Sequence, residues 1–350
     1  MINNRSKIMA TSTPTNRSNA IHLLVFLLLL PFAAAGKCNK DDKRALLAIK
    51  SAFNNAYHFA SWTNTSACCD WYGIECDPGI AKGRVTGLFV LTDSNVTGPI
   101  PAAVGDLPYL TSLSFHKLPN VVGSIPFSIT RLTRLSVLLL SWNSLSGPIP
   151  AFLSQVPSLI TIDLSFNHFS GSIPPELSLL TKLLGIDLSR NRLTDSIPAS
   201  FGSFPKSSPP SLTLSHNNLS GNLPPELGVP AWGAIDFSRN MLTGDASILF
   251  GAGKPTTQLD LSRNLFSFDL SRVTFPVNLT NLDLNHNKIT GSIPAQINEL
   301  KVNTLVGFNV SYNQLCGKIP AGPITAKFGP DAFFHNKCLC GSPLPACVKS

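Results

Sequence analysis

Five aspartates stand at equivalent places in a recurring segment and could carry out acid–base chemistry. Asp163, Asp187, Asp236, Asp260 and Asp283 each lie four residues before an asparagine, in a stretch with the alternating pattern of a β-strand. On adjacent strands two such carboxylates would lie about 5 Å apart, the separation that a retaining glycosidase uses. However, D-L-S-x-N is the common sequence of the segment itself, and no insertion interrupts it to form a pocket. We therefore expect no enzyme, and expect these carboxylates to pair with neighbouring Arg and Ser side chains.

A second set of side chains stands one residue before the same asparagines and suits protein binding instead. It comprises Trp142, Phe166, Arg190, His216, Arg239, Arg263, His286 and Tyr312. Aromatic and Arg side chains are the usual energetic anchors of protein interfaces, and Arg and His favour an acidic partner. The candidate binding surface also includes the aspartates and the outward positions His116, Lys117, Val137, Leu139, Thr161 and Gln258. For each residue taken alone, an ordinary solvated side chain is the alternative interpretation.

The asparagines that anchor both sets mark ten copies of one repeat. They are Asn95, Asn120, Asn143, Asn167, Asn191, Asn217, Asn240, Asn264, Asn287 and Asn313. The pattern L-x-x-L-x-L-x-x-N-x-L-x-G-x-I-P, with a period of about 24 residues, is typical of a leucine-rich repeat. Its leucines would face inward and stack from one copy to the next, and its Gly and Pro would end the strand and return the chain. The sequence therefore predicts an α/β repeat solenoid with one continuous core.

Some copies depart from the pattern. Repeats one and two carry two additional residues between the strand and the asparagine. Repeats six to eight lack leucine at the first strand position, where Pro209, Trp232 and Thr256 stand. We expect local bulges or register shifts in both groups.

The ends of the chain differ from the repeats. Residues 1–35 carry Arg5, Lys7 and Arg17, then an apolar run over 21–30 and three alanines, as a secretory signal peptide does. Because the run is much shorter than the roughly 20 residues that span a bilayer, we expect a secreted protein without a membrane segment. Translation could begin at Met1 or Met9.

The expected domains are the signal peptide (1–35), an N-terminal helical and disulfide cap (36–84), ten repeats (85–320) and a C-terminal disulfide cap (321–350). Helical spacing of apolar residues over 41–55 predicts the amphipathic helix of the first cap. Both caps would cover the outermost coils, which a repeat stack needs for stability.

Eight cysteines lie in two groups, one in each cap. Four are Cys38, Cys68, Cys69 and Cys76, and four are Cys316, Cys338, Cys340 and Cys347. An exported chain with an even number of cysteines is expected to form disulfides, whereas zinc would require paired CxxC motifs that are not found. We expect no metal and no cofactor.

The net charge indicates the kind of partner, and the glycosylation sequons indicate which surfaces could carry glycans. The formal charge is +8, and removing the three positive charges of residues 1–35 leaves +5. Because no Lys/Arg-rich block is present, we expect an acidic extracellular partner rather than nucleic acid, and a monomer. Glycosylation sequons occur at Asn64, Asn95, Asn218, Asn278 and Asn309. Asn309 falls on the candidate surface, so either it is unmodified or that end of the surface is not used.

Several motifs resemble those of plant polygalacturonase-inhibiting proteins, secreted ten-repeat proteins of the cell wall. They are CCDWYGIEC from Cys68, VGDLPYL from Val104, LSFHKLPN from Leu113, LSWNSLSGPIP from Leu140 and FFHNKCLCGSPLPAC from Phe333. The resemblance implies a right-handed superhelix with a concave parallel β-sheet, an irregular 3-10 convex side, and bridges Cys38–Cys68, Cys69–Cys76, Cys316–Cys338 and Cys340–Cys347. It also implies inhibition of fungal endopolygalacturonases in plant defence, with insect enzymes as further targets and pectin as a second partner.

Two alternatives remain open at this point. A developmental or signalling module would use the same fold to bind a plant receptor or another plant protein. A surface that binds ice or pectin would show regular Thr or Asn columns on the convex side, which the sequence does not display. The departures in repeats six to eight, and the apolar Val137 and Leu139, leave the range of inhibited enzymes open.

Overall fold

The computed structural model describes residues 38–79, 81–300 and 304–348. The proposed signal peptide and the choice between Met1 and Met9 lie outside the described residues. Within the described part of the chain, no helix has both the length and the apolar character needed to cross a membrane.

An eleven-stranded sheet forms one side of the coils. Its strands, in spatial order, are β1 (Ile74–Cys76), β2 (Val85–Leu91), β4 (Ser112–His116), β6 (Val137–Leu139), β8 (Thr161–Asp163), β10 (Gly185–Asp187), β12 (Ser211–Thr213), β14 (Ala234–Asp236), β16 (Gln258–Asp260), β18 (Asn281–Asp283) and β19 (Gly307–Asn309). All neighbours are parallel except β1, which pairs antiparallel with β2. We call the solvent-facing side of this sheet the concave face. The predicted fold class, a right-handed leucine-rich repeat superhelix, is confirmed.

Smaller sheets form the flank of the coils where the chain leaves the concave face. One contains β3 (Gly98–Pro99), β5 (Leu118–Gly123), β7 (Asn143–Gly147), β9 (His168–Gly171) and β11 (Arg192–Leu193). A second contains β13 (Ser220–Asn222), β15 (Met241–Gly244) and β17 (Leu265–Phe266), and a third contains β20 (Cys316–Lys318) and β21 (Cys338–Cys340).

Short 3-10 helices return the chain on the convex side. The 3-10 helices of the described residues span Tyr57–Phe59, Cys68–Asp70, Ala102–Asp106, Phe127–Arg131, Ala151–Gln155, Pro175–Leu179, Ala199–Ser203, Pro225–Gly228, Ser247–Leu249, Leu270–Arg272, Ala295–Glu299, Thr325–Lys327 and Pro330–Ala332. Most of those in the repeats follow a proline, which has the extended backbone of an N-terminal capping residue, as at Pro150 and Pro198. Proline suits this position because it fixes φ and needs no hydrogen-bond acceptor for an N–H.

The core is one continuous stack of apolar side chains. Equivalent strand residues pair in register, as Leu138 with Ile162 and Leu259 with Leu282, and these are almost completely buried. Burying each such side chain contributes roughly 1.5–3 kcal/mol, but only when the next coil covers it. Stability therefore arises between neighbouring repeats.

A ladder of asparagines closes each coil, as the sequence predicted. Asn167 is representative: its Oδ1 accepts the Leu145 N–H at 3.0 Å, and its Nδ2 donates to the Leu140 carbonyl at 2.8 Å and the Leu164 carbonyl at 3.1 Å. One amide thus binds buried backbone groups of two successive coils, and the carbonyls are shared between neighbouring asparagines, since the Leu164 carbonyl also accepts from Asn191.

The assignment of Asn95 and Asn120 to this ladder was wrong. Both are exposed, and the positive φ that precedes every ladder asparagine occurs instead at Thr92 and Lys117. Leu118 therefore takes the asparagine position of repeat two, because the extra residues follow the turn rather than precede it. The ladder also continues beyond Asn313 to Asn336, whose Oδ1 accepts the Leu315 N–H at 3.1 Å.

The irregular repeats behave in two ways. Repeat two shows the expected register shift, between Leu118 and Val122. Repeats six to eight do not, and the expectation of shifts there was wrong. The Trp232 ring fills the leucine site, and the hydroxyl of the buried Thr256 donates to the Trp232 carbonyl at 2.8 Å, so both substitutions fit the core without moving the strands.

The ends are covered as expected. Helix α1 (Lys40–Ala52) is somewhat shorter than the predicted 41–55 and begins at Asn39, whose side chain accepts the Asp41 and Asp42 N–H groups. The buried Asp42 carboxylate binds Arg84 through two hydrogen bonds, at 2.7 and 2.9 Å, and joins the helix to the first repeat. The four bridges implied by the resemblance, Cys38–Cys68, Cys69–Cys76, Cys316–Cys338 and Cys340–Cys347, are all formed.

Candidate functional site on the concave face

The predicted aspartates form one column across the concave face. Strand register places Leu139, Asp163, Asp187, Thr213, Asp236, Asp260, Asp283 and Asn309 side by side. Each of the five carboxylates accepts the N–H of the residue two positions later, and Ser165 also donates its hydroxyl to Asp163 at 2.6 Å. These bonds hold the turn after each strand.

The expected pairing of these carboxylates is therefore half right. Serine and asparagine bind them, but none of the ion pairs found among the described residues joins an Arg to the column. The serine two positions after the aspartate supplies the local donor, so an arginine is not needed to hold the turn.

Crowding of like charges changes the acidity of this column. Burial, followed by the charges of the neighbouring Asp236 and Asp283, raises the pKa of Asp260 to about 7. Burial and Asp163 likewise raise the pKa of Asp187 to about 6. The pKa of Asp283 is also raised, mainly by burial. The negative charge of the concave face thus decreases as the solution becomes mildly acidic.

The second column lies at the edge of the concave face, and its members share an unusual backbone. Trp142, Phe166, Arg190, His216, Arg239, Arg263, His286 and Tyr312, together with Lys117 and His335, all have φ between +53° and +60°. This left-handed conformation is unfavourable for residues other than Gly and Asn. We call these ten residues the left-handed column.

Hydrogen bonds to the next coil impose this conformation. The Trp142 N–H donates to the Ser165 carbonyl at 3.0 Å, and the Phe166 carbonyl accepts the Asn143 N–H at 3.1 Å. The same pair of bonds recurs from coil to coil. The turn therefore projects each side chain of the column toward its neighbours in adjacent coils.

The side chains of the left-handed column stack at both ends. At one end the Trp142 and Phe166 rings lie 3.6 Å apart and nearly parallel, with Lys117 5.8 Å from the Trp142 ring and Arg190 4.8 Å from the Phe166 ring. At the other end His286, Tyr312 and His335 stack at 4.0 and 4.3 Å. The middle of the column is cationic.

Electrostatics in that middle segment favour an anion. Burial, followed by the charges of Arg190, Arg239 and Arg263, lowers the pKa of His216 to about 4. The His216 Nδ1 is buried and has no hydrogen-bond partner among the described residues. Burial is the largest cause of this shift, and the three guanidinium groups add positive charge beside the ring.

The remaining predicted residues share the same face. Val137, Leu139, Thr161 and Gln258 are half-buried, and their side chains alternate with those of the core. His116 lies at the end of β4, where its Nδ1 is 3.0 Å from the Ser141 hydroxyl, and burial lowers its pKa. The structure thus brings all nineteen candidates onto one surface.

Sequence reasoning missed several neighbours of this surface. Leu184 is 63% exposed just before β10, Ile160 is half-buried at the equivalent place before β8, and His335 continues the left-handed column into the C-terminal cap. The two apolar residues could have been found, since they follow an inward leucine. Asn336 could have been recognised as a further ladder asparagine, and His335, which precedes it, would then have been added to the second set.

A shallow depression lies beside the aromatic end of the column. It has a volume of about 370 Å³ and is bounded by Pro119, Trp142, Asn143, Ser144, Phe166, Asn167, His168 and Arg190. It connects the concave face to the flank sheet that contains β7 and β9.

The flank sheet that contains β7, β9 and β11 carries hydroxyl groups, but not in lateral alignment. Strand pairing sets Ser146 opposite His168, and Ser170 opposite Arg192. Hydroxyls therefore alternate with large cationic or aromatic side chains along the sheet.

The glycosylation sequons and the cysteines lie in different parts of the structure. Asn64, Asn95, Asn218 and Asn278 are exposed, whereas Asn309 lies in β19 with its Oδ1 accepting the Ser311 N–H and hydroxyl. Among the described residues, the group of three potential metal ligands is Cys38, Cys68 and Cys69, whose sulfurs lie within 4.8 Å of one another. All three are disulfide-bonded.

Comparison with known proteins gives consistent matches along the chain. The leucine rich repeat N-terminal domain matches residues 39–77, and the leucine rich repeat matches 134–156, 158–180, 182–204, 211–229 and 278–300. Polygalacturonase inhibitor 2 of Arabidopsis thaliana is 61% identical over 325 residues, which cover 93% of this chain and 97% of that protein. The polygalacturonase inhibitor of Vitis vinifera is 55% identical and covers 93% of this chain and 96% of its own length.

A solved structure is also similar to this chain in fold. The crystal structure of a plant ice-binding protein superposes with a TM-score of 0.86 at 47% identity, and the match covers 90% of this chain and 99% of that one. This chain is therefore similar both to polygalacturonase inhibitors and to a plant ice-binding protein.

Proposed function

From the premise that this chain belongs to the polygalacturonase-inhibitor family of leucine-rich repeat proteins, we propose that it binds a fungal endopolygalacturonase through its concave face and blocks it. The observation that carries the proposal is the left-handed column, in which exposed rings and unpaired cations stand along an uninterrupted concave sheet. Such side chains are the usual anchors of protein interfaces.

The electrostatics support an acidic partner surface. Arg190, Arg239 and Arg263 are exposed, and none of them is in an ion pair within the described part of the chain. Protonation of the adjacent aspartate column at mildly acidic pH would leave these cations dominant. The positive charges of this face would bind the negatively charged cleft of an enzyme that cuts pectin.

The proposal includes location and context. The leader of residues 1–35 directs the chain to the cell wall, where the cap disulfides are stable and where the protein contributes to defence as a monomer. Insect polygalacturonases are further candidate targets, and pectin itself is a candidate ligand of the cationic middle segment.

An inhibition assay tests the proposal directly. Purified secreted protein is added to a panel of fungal and insect endopolygalacturonases, and the release of reducing ends from polygalacturonate is measured. We expect at least one enzyme to lose most of its activity, and the heat-unfolded protein to have no effect. An unaffected panel, together with capture of a plant receptor ectodomain, would instead favour the signalling alternative.

A further inference from the structure

The aromatic end of the left-handed column differs from its other end in what surrounds it. Beside Trp142 and Phe166, four outward positions are apolar, Val137 and Leu139 on β6 and Ile160 and Leu184 on the next two coils, and Thr161 and Asp163 lie among them on β8. Beside Tyr312, the outward positions are Asp283 on β18, Asn309 on β19 and, among the described residues, the single apolar residue Val306. Trp142 and Tyr312 are equally exposed, at 45% and 44%, so the difference lies in their neighbours.

Stacking also decides which part of each ring a partner can touch. One face of Trp142 is covered by Phe166 and lies 3.6 Å from it, and the other face is approached by Lys117. The second face of Phe166 is covered by Arg190. Because both rings have neighbours over their faces, their edges are the part that is most open to a partner. Ring edges carry partial positive charge and suit apolar groups and carboxylate or carbonyl oxygens.

Two cations complete this arrangement. Lys117 and Arg190 flank the rings, and neither belongs to an ion pair among the residues that the structure describes. No carboxylate bounds the 370 Å³ depression beside the rings. An acidic group brought by a partner would therefore meet two cations that have no ion-pair partner, next to apolar side chains.

We propose that the Trp142–Phe166 pair is the anchor of the docking surface, and that it receives a protein loop which presents an apolar side chain beside a carboxylate. The apolar side chain packs against the ring edges and Val137 or Leu139, and the carboxylate binds Arg190 or Lys117. This inference rests on the proposed function, because the loop belongs to the inhibited enzyme. Binding energy is then concentrated in repeats three and four, whereas the ionic repeats six to nine orient the partner.

A matched pair of substitutions tests the anchor. Trp142→Asn and Tyr312→Asn both remove an equally exposed stacked ring from the same left-handed column, and asparagine tolerates that backbone. Affinity for an endopolygalacturonase that the native protein inhibits is measured by surface plasmon resonance. We expect Trp142→Asn to weaken binding at least 30-fold, mainly through faster dissociation, and Tyr312→Asn to weaken it less than threefold. Unchanged circular dichroism and melting temperature establish that both variants fold.

The outcomes separate this inference from the function on which it rests. An inhibited enzyme that binds Trp142→Asn within threefold of the native protein overturns the anchor and leaves the function standing. Equal losses in both variants also overturn it. If Trp142→Asn weakens binding of a galacturonate decamer but not of the enzyme, the rings belong to a carbohydrate site instead, and the inference fails. A native protein that inhibits and binds no polygalacturonase overturns both.

Discussion

The charge of single side chains on the concave face depends on residues from neighbouring coils. Asp260 lies between Asp236 and Asp283 in the strand register, and its raised pKa follows from burial and from these two carboxylates. The pKa of His216 is lowered instead, by burial and by the charges of three arginines. Each effect gives a prediction with a definite sign.

Replacing Asp260 with Asn should stabilise the protein above pH 4. The folded pKa of about 7 lies above the ordinary value of 3.8, so the folded state binds the proton more tightly. The native protein therefore loses stability as pH rises from about 4 to 7, and the variant does not. We expect the difference in unfolding free energy to widen over this range and to level off at about 1–3 kcal/mol above pH 7, after allowance for solvent screening. Urea denaturation at several pH values measures it.

His216→Gln provides the control of opposite sign. Its folded pKa of about 4 lies below the ordinary 6.5, so the native protein loses stability as pH falls from 6.5 to 4. The variant should gain relative stability over that interval. If the unfolding free energies of the two variants changed with pH in the same way, both pKa assignments would be contradicted.

The arginines in the middle of the left-handed column give a prediction about binding. Arg239→Glu combined with Arg263→Glu should weaken hydrolase binding by more than tenfold at low salt and reduce its dependence on ionic strength, because long-range attraction is lost. Titration of inhibition at several salt concentrations measures both effects. Lys206→Glu with Lys327→Glu is the control, since both lysines are exposed and neither is in the left-handed column. Unchanged low-salt affinity in the first double variant would remove these arginines from the mechanism.

At the scale of an element, the asparagine ladder makes each coil depend on the next. Asn191 accepts the Phe169 N–H at 3.0 Å and donates to the Leu164 and Leu188 carbonyls at 3.0 Å. Its removal would leave the buried Phe169 N–H without a partner, whereas the Leu164 and Leu188 carbonyls would keep their bonds to Asn167 and Asn217. The same coil holds Arg190 in its left-handed conformation, so the ladder also positions the binding surface.

Asn191→Ala should therefore cost about 1–3 kcal/mol of unfolding free energy, since one buried N–H is left without a partner. Asn120→Ala is the matched control, because Asn120 is exposed and makes one hydrogen bond, to the Ser94 carbonyl. We expect a loss below about 1 kcal/mol there. Equal losses at both positions would mean that Asn120 belongs to the ladder after all.

At the scale of the whole molecule, the repeats form a chain of nearest neighbours sealed by two caps. Strand β1 and helix α1 cover the first coil, and the segment around Phe333 covers the last, where the Val310 N–H donates to the Ala332 carbonyl. In such a stack unfolding begins at an unsealed end.

Removing the first bridge should open the N-terminal end. The Cys38–Cys68 bridge spans 30 residues and Cys340–Cys347 spans 7, so the entropy of the closed loop predicts losses of about 3.6 and about 2.4 kcal/mol respectively when each pair is replaced by Ser. Hydrogen exchange should become faster first in α1 and β2 in the former variant and near β21 in the latter. Uniform acceleration along the chain would instead indicate a single cooperative unit.

Much of this architecture followed from the sequence because its causes are short-range. The 24-residue period identified the repeat, alternation within D-L-S-x-N separated inward leucines from outward aspartates, and the cysteine grouping located the caps. The same alternation placed the candidates that lie in the strands on one face, since side chains of a strand alternate regardless of what binds them.

Other features were decided only when the coils stacked. Hydrogen bonds from one coil to the next forced Trp142 and its equivalents into a left-handed backbone that their residue types disfavour, and so aligned the rings and cations. The same contacts excluded Asn95 and Asn120 from the ladder and kept Trp232 and Thr256 in register. The raised pKa of Asp260 arose from burial in the stack and from carboxylates about 24 residues away in sequence but adjacent in space. Periodicity therefore determines which residues face outward, whereas conformation, stacking and acidity depend on the neighbouring coil.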